Sequence, residues 1–106
     1  MDGLVRTSAV VIDRPRGRAH PGIPEAIYPL DYGYLDGTRS GDGDGIDVFV
    51  GTATGTDVVG ILVTADPVKH DAEIKVLLNC SPAEILVAYR FVRDVLGIGG
   101  LLVRRE

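Results

Sequence analysis

Three aspartates within six residues are the strongest chemical signal in the sequence. Asp42, Asp44 and Asp47 alternate with glycines in the run Ser-Gly-Asp-Gly-Asp-Gly-Ile-Asp over residues 40–47. Carboxylates this close repel one another unless a cation holds them together. The glycines let the backbone bend so that the side chains converge, and aspartate oxygen is a hard ligand suited to Mg²⁺ or Mn²⁺. The pattern predicts a divalent metal site. The crowding also predicts that Asp47→Asn leaves the metal-free protein at least as stable as the parent.

A solvated turn is the competing interpretation of this run, because Asp-Gly pairs are ordinary turn formers. An EF-hand fits poorly, since a calcium loop starting at Asp42 would have Ala53 in the twelfth position, where glutamate is needed. Asp66 and Asp71 follow a candidate strand and could face the same pocket. Five carboxylates exceed what one magnesium ion usually takes from a protein, so the sequence favours a multi-metal site that binds phosphate.

Composition restricts the class of protein. A length of 106 residues fits one domain, which we assign to residues 1–106. Eleven basic and fifteen acidic side chains give 11 − 15 = −4, a poor match for a nucleic acid backbone. No apolar stretch approaches the ~20 residues of a membrane helix, and no signal-peptide pattern opens the chain, so we expect a cytoplasmic protein with no nucleic acid or membrane partner. The lone cysteine, Cys80, is expected to be a buried thiol.

Short runs rich in valine and isoleucine, separated by glycines and prolines, predict a mostly β (α+β) fold. The candidate strands span residues 4–13, 46–51, 58–64, 73–79 and, more weakly, 101–104. We expect them to form a small OB-like closed β-barrel of about five strands, which leaves no exposed sheet edge. The glycine- and proline-rich segment 14–45 is interpreted as a long, functional loop.

One C-terminal α-helix is clearly indicated. Ser81 is a capping residue, proline follows it, and Glu84 stands three residues after the cap. Gly97 is a suitable stop. The helix should pack against the barrel through apolar residues at three- and four-residue spacing. These are Ile85, Ala88, Tyr89, Val92 and Leu96.

Two motifs carry a family resemblance. The first is Asp-x-Asp-x-x-Asp followed by an apolar strand, over residues 42–48, and the second is Tyr-Pro-Leu-Asp-Tyr-Gly-Tyr over residues 28–34. With these motifs the sequence resembles family I soluble inorganic pyrophosphatases, and the similarity runs from about residue 10 to residue 71. The resemblance implies an OB-like barrel with helices outside it. It also implies Mg²⁺-dependent hydrolysis of inorganic pyrophosphate to two phosphates, with Mn²⁺ as a possible alternative ion.

The resemblance also implies roles for individual residues. Asp44 would take the proton from the attacking water or orient it, and Tyr32 would hydrogen-bond a phosphate or a group near that water. Asp13 stands where the family has a glutamate that reaches metal through water. Two or more divalent ions would lower the pKa of a shared water and neutralise the phosphates. The positions that the resemblance assigns to metal are Asp42, Asp47, Asp66, Asp71 and Asp13.

The cationic phosphate ligands depart from the family pattern. The segment between Asp13 and Tyr28 is shorter than in the family, which places a hairpin with such ligands there. After Asp71, Glu73 occupies the position of a family lysine, but Lys75 lies two residues on, on the same face of a strand. Lys75 could therefore substitute as a substrate ligand. Three arginines in the short segment could supply the other charges or lie on the surface. They are Arg14, Arg16 and Arg18.

Three functions remain open from the sequence. The first is a small inorganic pyrophosphatase, with reduced or altered activity because of these departures. The second is a non-catalytic module that binds metal and diphosphate, and the third is a hydrolase of another diphosphate compound. Cationic side chains that line the carboxylate pocket would favour an enzyme. A homo-oligomer is possible for so small and apolar a chain.

Overall fold

The computed structural model describes residues 9–38, 45–54, 57–68 and 70–105. Asp42 and Asp44 therefore lie outside the described residues. None of the described helices is long and apolar enough to cross a membrane. The strands are β1 Val10–Arg14, β2 Ala19–His20, β3 Ile23–Ile27, β4 Asp31–Leu35, β5 Ile46–Val50, β6 Val58–Asp66, β7 Asp71–Leu78 and β8 Gly100–Arg104. One α-helix, α1 (Pro82–Arg90), continues into a π-helical turn, Phe91–Val95.

Six strands form one sheet in the order β1-β4-β5-β7-β6-β8, and β2 and β3 form a separate hairpin. Strands β5 and β7 are parallel, and the other neighbours in the sheet are antiparallel. This confirms the mostly β fold, with one α-helix in the part of the chain that the structure describes. The closed five-stranded barrel is not observed, since no ladder within the described ranges joins the edge strands β1 and β8. Helix α1 and the hairpin pack on one face of the sheet. They bury the apolar side chains of that face, so the edge strands β1 and β8 need not pair with each other.

The segment interpreted as one long loop contains three strands, β2, β3 and β4. Strand β4 is an interior strand that pairs with β1 on one side and β5 on the other. Gly33, at its centre, is the reason that β1 can approach, because a β-carbon there would overlap the carbonyl oxygen of Val11. Glycine and proline usually indicate turns. Here the glycine instead permits close strand packing, which a local pattern does not reveal.

Two apolar clusters hold the sheet. An aromatic group dominates the first, in which the Tyr32 and Phe49 ring centroids are 4.8 Å apart and those of Tyr28 and Phe91 are 4.9 Å apart. Such tilted and edge-to-face pairs stabilise a core beyond the area that they bury. The second cluster is aliphatic and lies on strands β4 to β7. It consists of Leu35, Val48, Val58, Val76 and Leu78.

The helix begins as its sequence predicts. The Ser81 hydroxyl accepts a hydrogen bond from the Glu84 N–H over 3.2 Å, and the Glu84 carboxylate accepts one from the Ser81 N–H over 2.9 Å. This reciprocal pair is a capping box. Gly97 follows the helical segment with a φ of 69°, a conformation that favours glycine. Cys80 is buried as expected, and burial raises the pKa of its thiol to about 11.

Candidate active site

An open cavity of about 750 Å³ lies where strands β1, β4, β5, β6 and β7 meet. Two basic side chains, Arg14 and Lys75, line it together with five carboxylates. If all of these groups are ionised, their charges sum to 2 − 5 = −3. The cavity is therefore a strongly acidic surface that attracts cations. The lining carboxylates are Asp13, Asp47, Asp66, Asp71 and Glu73.

Strand register places Asp66 and Asp71 side by side where β6 ends and β7 begins, and Asp47 beside Lys75. Asp66 ends β6 and Asp71 begins β7, and the antiparallel ladder pairs the two residues directly. The parallel β5–β7 ladder pairs Asp47 with Lys75. Because side chains alternate along a strand, Asp71, Glu73 and Lys75 all project from the same face of β7. Asp66 and Asp71, which are five residues apart in the sequence, therefore lie next to each other in the lining of the cavity.

An irregularity in β1 brings two adjacent residues into the cavity. Neighbouring residues in a regular strand point to opposite faces, yet Asp13 and Arg14 both line the cavity. The register with β4 shifts between Ile12 and Arg14, so that Ile12 pairs with Gly33 and Arg14 with Tyr32. A bulge of this kind re-aims side chains at the edge of a sheet. It explains how one short strand supplies both a carboxylate and a guanidinium.

Lys75 is the most deeply placed charged group in the described part of the cavity, with only 4% of its surface exposed. Its Nζ donates to the Tyr32 hydroxyl over 2.9 Å, to Asp47 Oδ2 over 2.9 Å and to Glu73 Oε2 over 3.4 Å. The ammonium also lies 5.4 Å from the centre of the Tyr32 ring. An ammonium has three N–H donors, so these three acceptors occupy all of them.

The Tyr32 hydroxyl interacts with both Lys75 and Asp47. Burial, and next the negative charge of Asp47, raise the pKa of the Tyr32 hydroxyl well above its ordinary value. The hydroxyl therefore keeps its proton at neutral pH. It hydrogen-bonds Asp47 and accepts a hydrogen bond from Lys75. Tyr32 is thus a hydrogen-bond donor in the cavity and not a base.

Arg14 is held against the aromatic rings of Tyr28 and Tyr32. Its Nη1 donates to the Tyr28 hydroxyl over 2.6 Å, and its guanidinium carbon lies 5.6 Å from the ring centres of both Tyr28 and Tyr32. A guanidinium has five N–H donors in a planar fork. One of them is used by Tyr28, so the group retains donors for an anion in the cavity.

The cavity brings together seven of the eleven residues that the sequence singled out. Arg16 and Arg18 do not line it and are exposed, and Asp42 and Asp44 lie outside the described residues. In residues 9–38, 45–54, 57–68 and 70–105, no three histidine, cysteine, aspartate or glutamate side chains are close enough to hold a metal ion. The carboxylate donors nonetheless have the chemistry that Mg²⁺ and Mn²⁺ prefer. The seven residues are Asp13, Arg14, Tyr32, Asp47, Asp66, Asp71 and Lys75.

Two further cavity residues that carry a carboxylate or an imidazole were not among the predicted site residues. Glu73 lines the cavity between Asp71 and Lys75, and strand alternation alone could have placed it there. The Nδ1 of His20 accepts a hydrogen bond from the Gly22 N–H over 2.9 Å, which places the proton of a neutral ring on Nε2. No local signal marks this histidine. It reaches the cavity because the β2–β3 hairpin folds back.

Comparison with known proteins bears on the family and the fold of the chain. A family model described as inorganic pyrophosphatase matches residues 9–80, which include all the charged residues of the cavity given above. The chain is similar to an inorganic pyrophosphatase from Neisseria gonorrhoeae, with a TM-score of 0.65 and 19% identity, over 92% of this chain and 79% of that one. It is also similar to one from Coxiella burnetii, with a TM-score of 0.61 and 17% identity, over 91% and 82% of the two chains. At these identities the structures show a shared fold. The search of curated proteins found no match.

Proposed function

Because the chain belongs to the inorganic pyrophosphatase family, whose members are hydrolases, we propose that it hydrolyses inorganic pyrophosphate to two phosphates in a Mg²⁺-dependent reaction. The charge of the cavity is the observation that carries the proposal. Five carboxylates and two cations leave a formal charge of −3 in a cavity that must receive a polyanion. Such a cavity repels pyrophosphate unless divalent cations lie between the two. The charge of the cavity side chains therefore supports metal dependence.

The carboxylates on β1, β5, β6 and β7 are the proposed metal ligands. Asp47, Asp66 and Asp71 would hold ions directly and Asp13 through water, together with Asp42, which the resemblance adds. When bound, Mg²⁺ or Mn²⁺ would neutralise phosphate charge and lower the pKa of the attacking water. The sheet ladders fix the strands that carry Asp47, Asp66 and Asp71, so the chain would supply these oxygen ligands from one sheet.

Other residues of the chain would act on the substrate and its proton. Arg14 binds a phosphate through the donors that Tyr28 leaves available. Tyr32 orients Asp47 through its hydroxyl. In the reaction, the water oxygen bonds to one phosphorus, the bridging P–O bond breaks, and Asp44 takes the proton of the water, as the resemblance implies. Substrate contacts by Arg16, Arg18 and Lys75 stay predictions, as do the cytoplasmic location and the homo-oligomer.

Phosphate release from pyrophosphate tests the proposal. Purified protein should release phosphate with Mg²⁺ or Mn²⁺ and lose this activity in excess chelator. Asp71→Asn should reduce the rate by at least about tenfold. Asp57→Asn is a matched control, because it removes the same charge from an exposed residue that does not line the cavity. Undiminished release in chelator would contradict the metal site, and binding of pyrophosphate with no release would indicate the non-catalytic module.

The size of the cavity favours a second candidate substrate. A volume of about 750 Å³ lies in the range that accommodates drug-sized ligands, which are larger than pyrophosphate. A diphosphate that carries an organic group, such as a nucleoside or isoprenoid diphosphate, is therefore the alternative. The same assay with a panel of these compounds separates the two. A higher kcat/KM for an organic diphosphate than for pyrophosphate would identify the larger substrate.

A further inference from the structure

The ammonium of Lys75 lies between two of the carboxylates of the acidic cavity. Asp47 and Lys75 are register partners on parallel strands, and Glu73 precedes Lys75 by two residues on the same face of β7. Ion pairs join Lys75 Nζ to Asp47 over 2.9 Å and to Glu73 over 3.4 Å. The Tyr32 hydroxyl accepts the remaining donor. The ammonium is therefore fully partnered by side chains of the protein.

This ammonium has no ready alternative position. Only 4% of Lys75 is exposed, and a buried charge is costly unless it is paired and hydrogen-bonded. Its present partners satisfy that requirement. A movement toward substrate would break three hydrogen bonds and leave the Asp47 and Glu73 carboxylates close together without a cation between them. The side chain is consequently better suited to holding its neighbours than to reaching a phosphate.

A fixed positive charge at this place changes what the cavity can bind. Asp47 Oδ2 already receives a hydrogen bond from Lys75. A divalent ion that approached the Asp47 and Glu73 oxygens would meet a like charge at close range. The ammonium and such an ion therefore compete for the same carboxylate oxygens.

We infer that Lys75 is a positioning residue whose ammonium takes the place of one divalent ion between Asp47 and Glu73. The cavity then requires fewer metal ions than its carboxylates would otherwise bind. The inference rests on the proposed function in one respect, namely that Asp47 is a metal-facing carboxylate. It differs from the sequence-based prediction that Lys75 is a ligand of the substrate.

Counting bound Mn²⁺ in the absence of pyrophosphate tests the inference. Electron paramagnetic resonance of free Mn²⁺ gives the number of ions bound per chain. Lys75→Gln should bind one more Mn²⁺ than the parent, because its neutral amide leaves no ammonium between the two carboxylates to compete with the ion. Lys75→Arg keeps the charge and should bind the parental number. Arg93→Gln, which removes the cation of an exposed ion pair with Asp94, controls for the change in net charge. An unchanged or lower number for Lys75→Gln overturns the inference.

A measurement on the unaltered cluster covers the case in which Lys75→Gln does not fold. The chain has two lysines, Lys69 and Lys75, so Lys69→Arg leaves a single lysine side-chain ammonium. Its ¹H–¹⁵N correlation should be visible in metal-free protein, because hydrogen-bonded ammonium protons exchange slowly, and it should persist at saturating Mg²⁺. Loss of the signal on adding Mg²⁺ means that the ammonium leaves its partners, which overturns the inference. The Mn²⁺ count and the NMR signal do not depend on hydrolysis. If the protein is inactive but binds the expected numbers of Mn²⁺, the proposed function is contradicted and the inference about Lys75 is not.

Discussion

The guanidinium of Arg14 donates to the hydroxyl of Tyr28 over 2.6 Å, although the two residues belong to different parts of the chain. Tyr28 is 1% exposed, so its hydroxyl depends on a protein partner. The contact holds the guanidinium carbon 5.6 Å from the centres of both the Tyr28 and Tyr32 rings, in the lining of the acidic cavity. Arg14 is therefore a preset cationic group in a cavity whose other described charged residues are mainly acidic.

Arg14→Gln should raise the KM for pyrophosphate by about tenfold or more, because a charge-assisted hydrogen bond contributes ~1.5–3 kcal/mol. Arg14→Lys should recover only part of the loss, since an ammonium lacks the planar fork. Steady-state kinetics measures both variants. Arg104→Gln, on the exposed edge strand β8, is the control. If the KM of Arg14→Gln equals that of the parent, Arg14 does not bind substrate.

Tyr32→Phe should lower kcat by about tenfold or more while keeping the fold, because it removes the hydroxyl that hydrogen-bonds Asp47 and retains the packed ring. The free energy of unfolding should fall by about 1 kcal/mol, the value of one hydrogen bond. Tyr89→Phe, outside the cavity, should change neither quantity appreciably. Kinetics and thermal melts give the two readouts. Equal kcat values for Tyr32→Phe and the parent would remove Tyr32 from the mechanism.

Asp47→Asn should destabilise the metal-free protein by roughly 1–3 kcal/mol, because Lys75 would lose a charged partner while remaining buried. The crowding of aspartates in the sequence predicts the opposite sign, and the ion pair is the reason for the difference. Mg²⁺ should also stabilise the variant less than it stabilises the parent. Urea unfolding with and without Mg²⁺ measures both effects. A variant as stable as the parent without metal would mean that the ion pair contributes nothing.

The capping box should make the stability of the protein depend on pH. Burial alone would raise the pKa of Glu84, but hydrogen bonds from Ser81 and Thr52 hold it below its ordinary value near 4.5. The ionised form therefore stabilises the fold above that value, and the contribution is lost as pH falls through the lower folded-state pKa. Glu84→Gln should cost up to about 1 kcal/mol at neutral pH and less in acid. Unfolding curves at both pH values measure the difference, and an equal cost at both contradicts the prediction.

Gly33→Ala should prevent β1 from pairing with β4, because the added carbon would overlap the Val11 carbonyl oxygen. We expect a loss of ~4 kcal/mol or more, which is exceptional for one substitution. Gly22→Ala is the matched control, since its added carbon would lie 3.6 Å from the His20 ring, an ordinary contact. Circular dichroism and thermal melts compare the two variants. Similar stability for both would contradict the close approach of β1.

Local patterns predicted several elements correctly because their determinants are close in the sequence. The Ser81–Glu84 capping box spans four residues, and its hydrogen bonds form within one helical turn. Strands β5 and β6 are rich in valine, isoleucine and other apolar residues, which favour a strand whatever its partners. Strand β4 was missed because its glycine and the nearby prolines resemble turn signals. Its strand character depends on β1 and β5, which pair with it from both sides.

The sequence by itself determined the family, because the tyrosine-rich motif and the aspartate-rich motif with its glycine spacing are local and resemble inorganic pyrophosphatases. Tertiary structure decided which charges meet. Lys75 pairs with Asp47 across 28 residues and with Tyr32 across 43, through ladders between β4, β5 and β7. Arg16 and Arg18 resemble Arg14 in sequence, yet the cavity includes only Arg14 of the three. Side-chain alternation and the bulge in β1 fix these directions, and both depend on strand register, which non-local pairing sets.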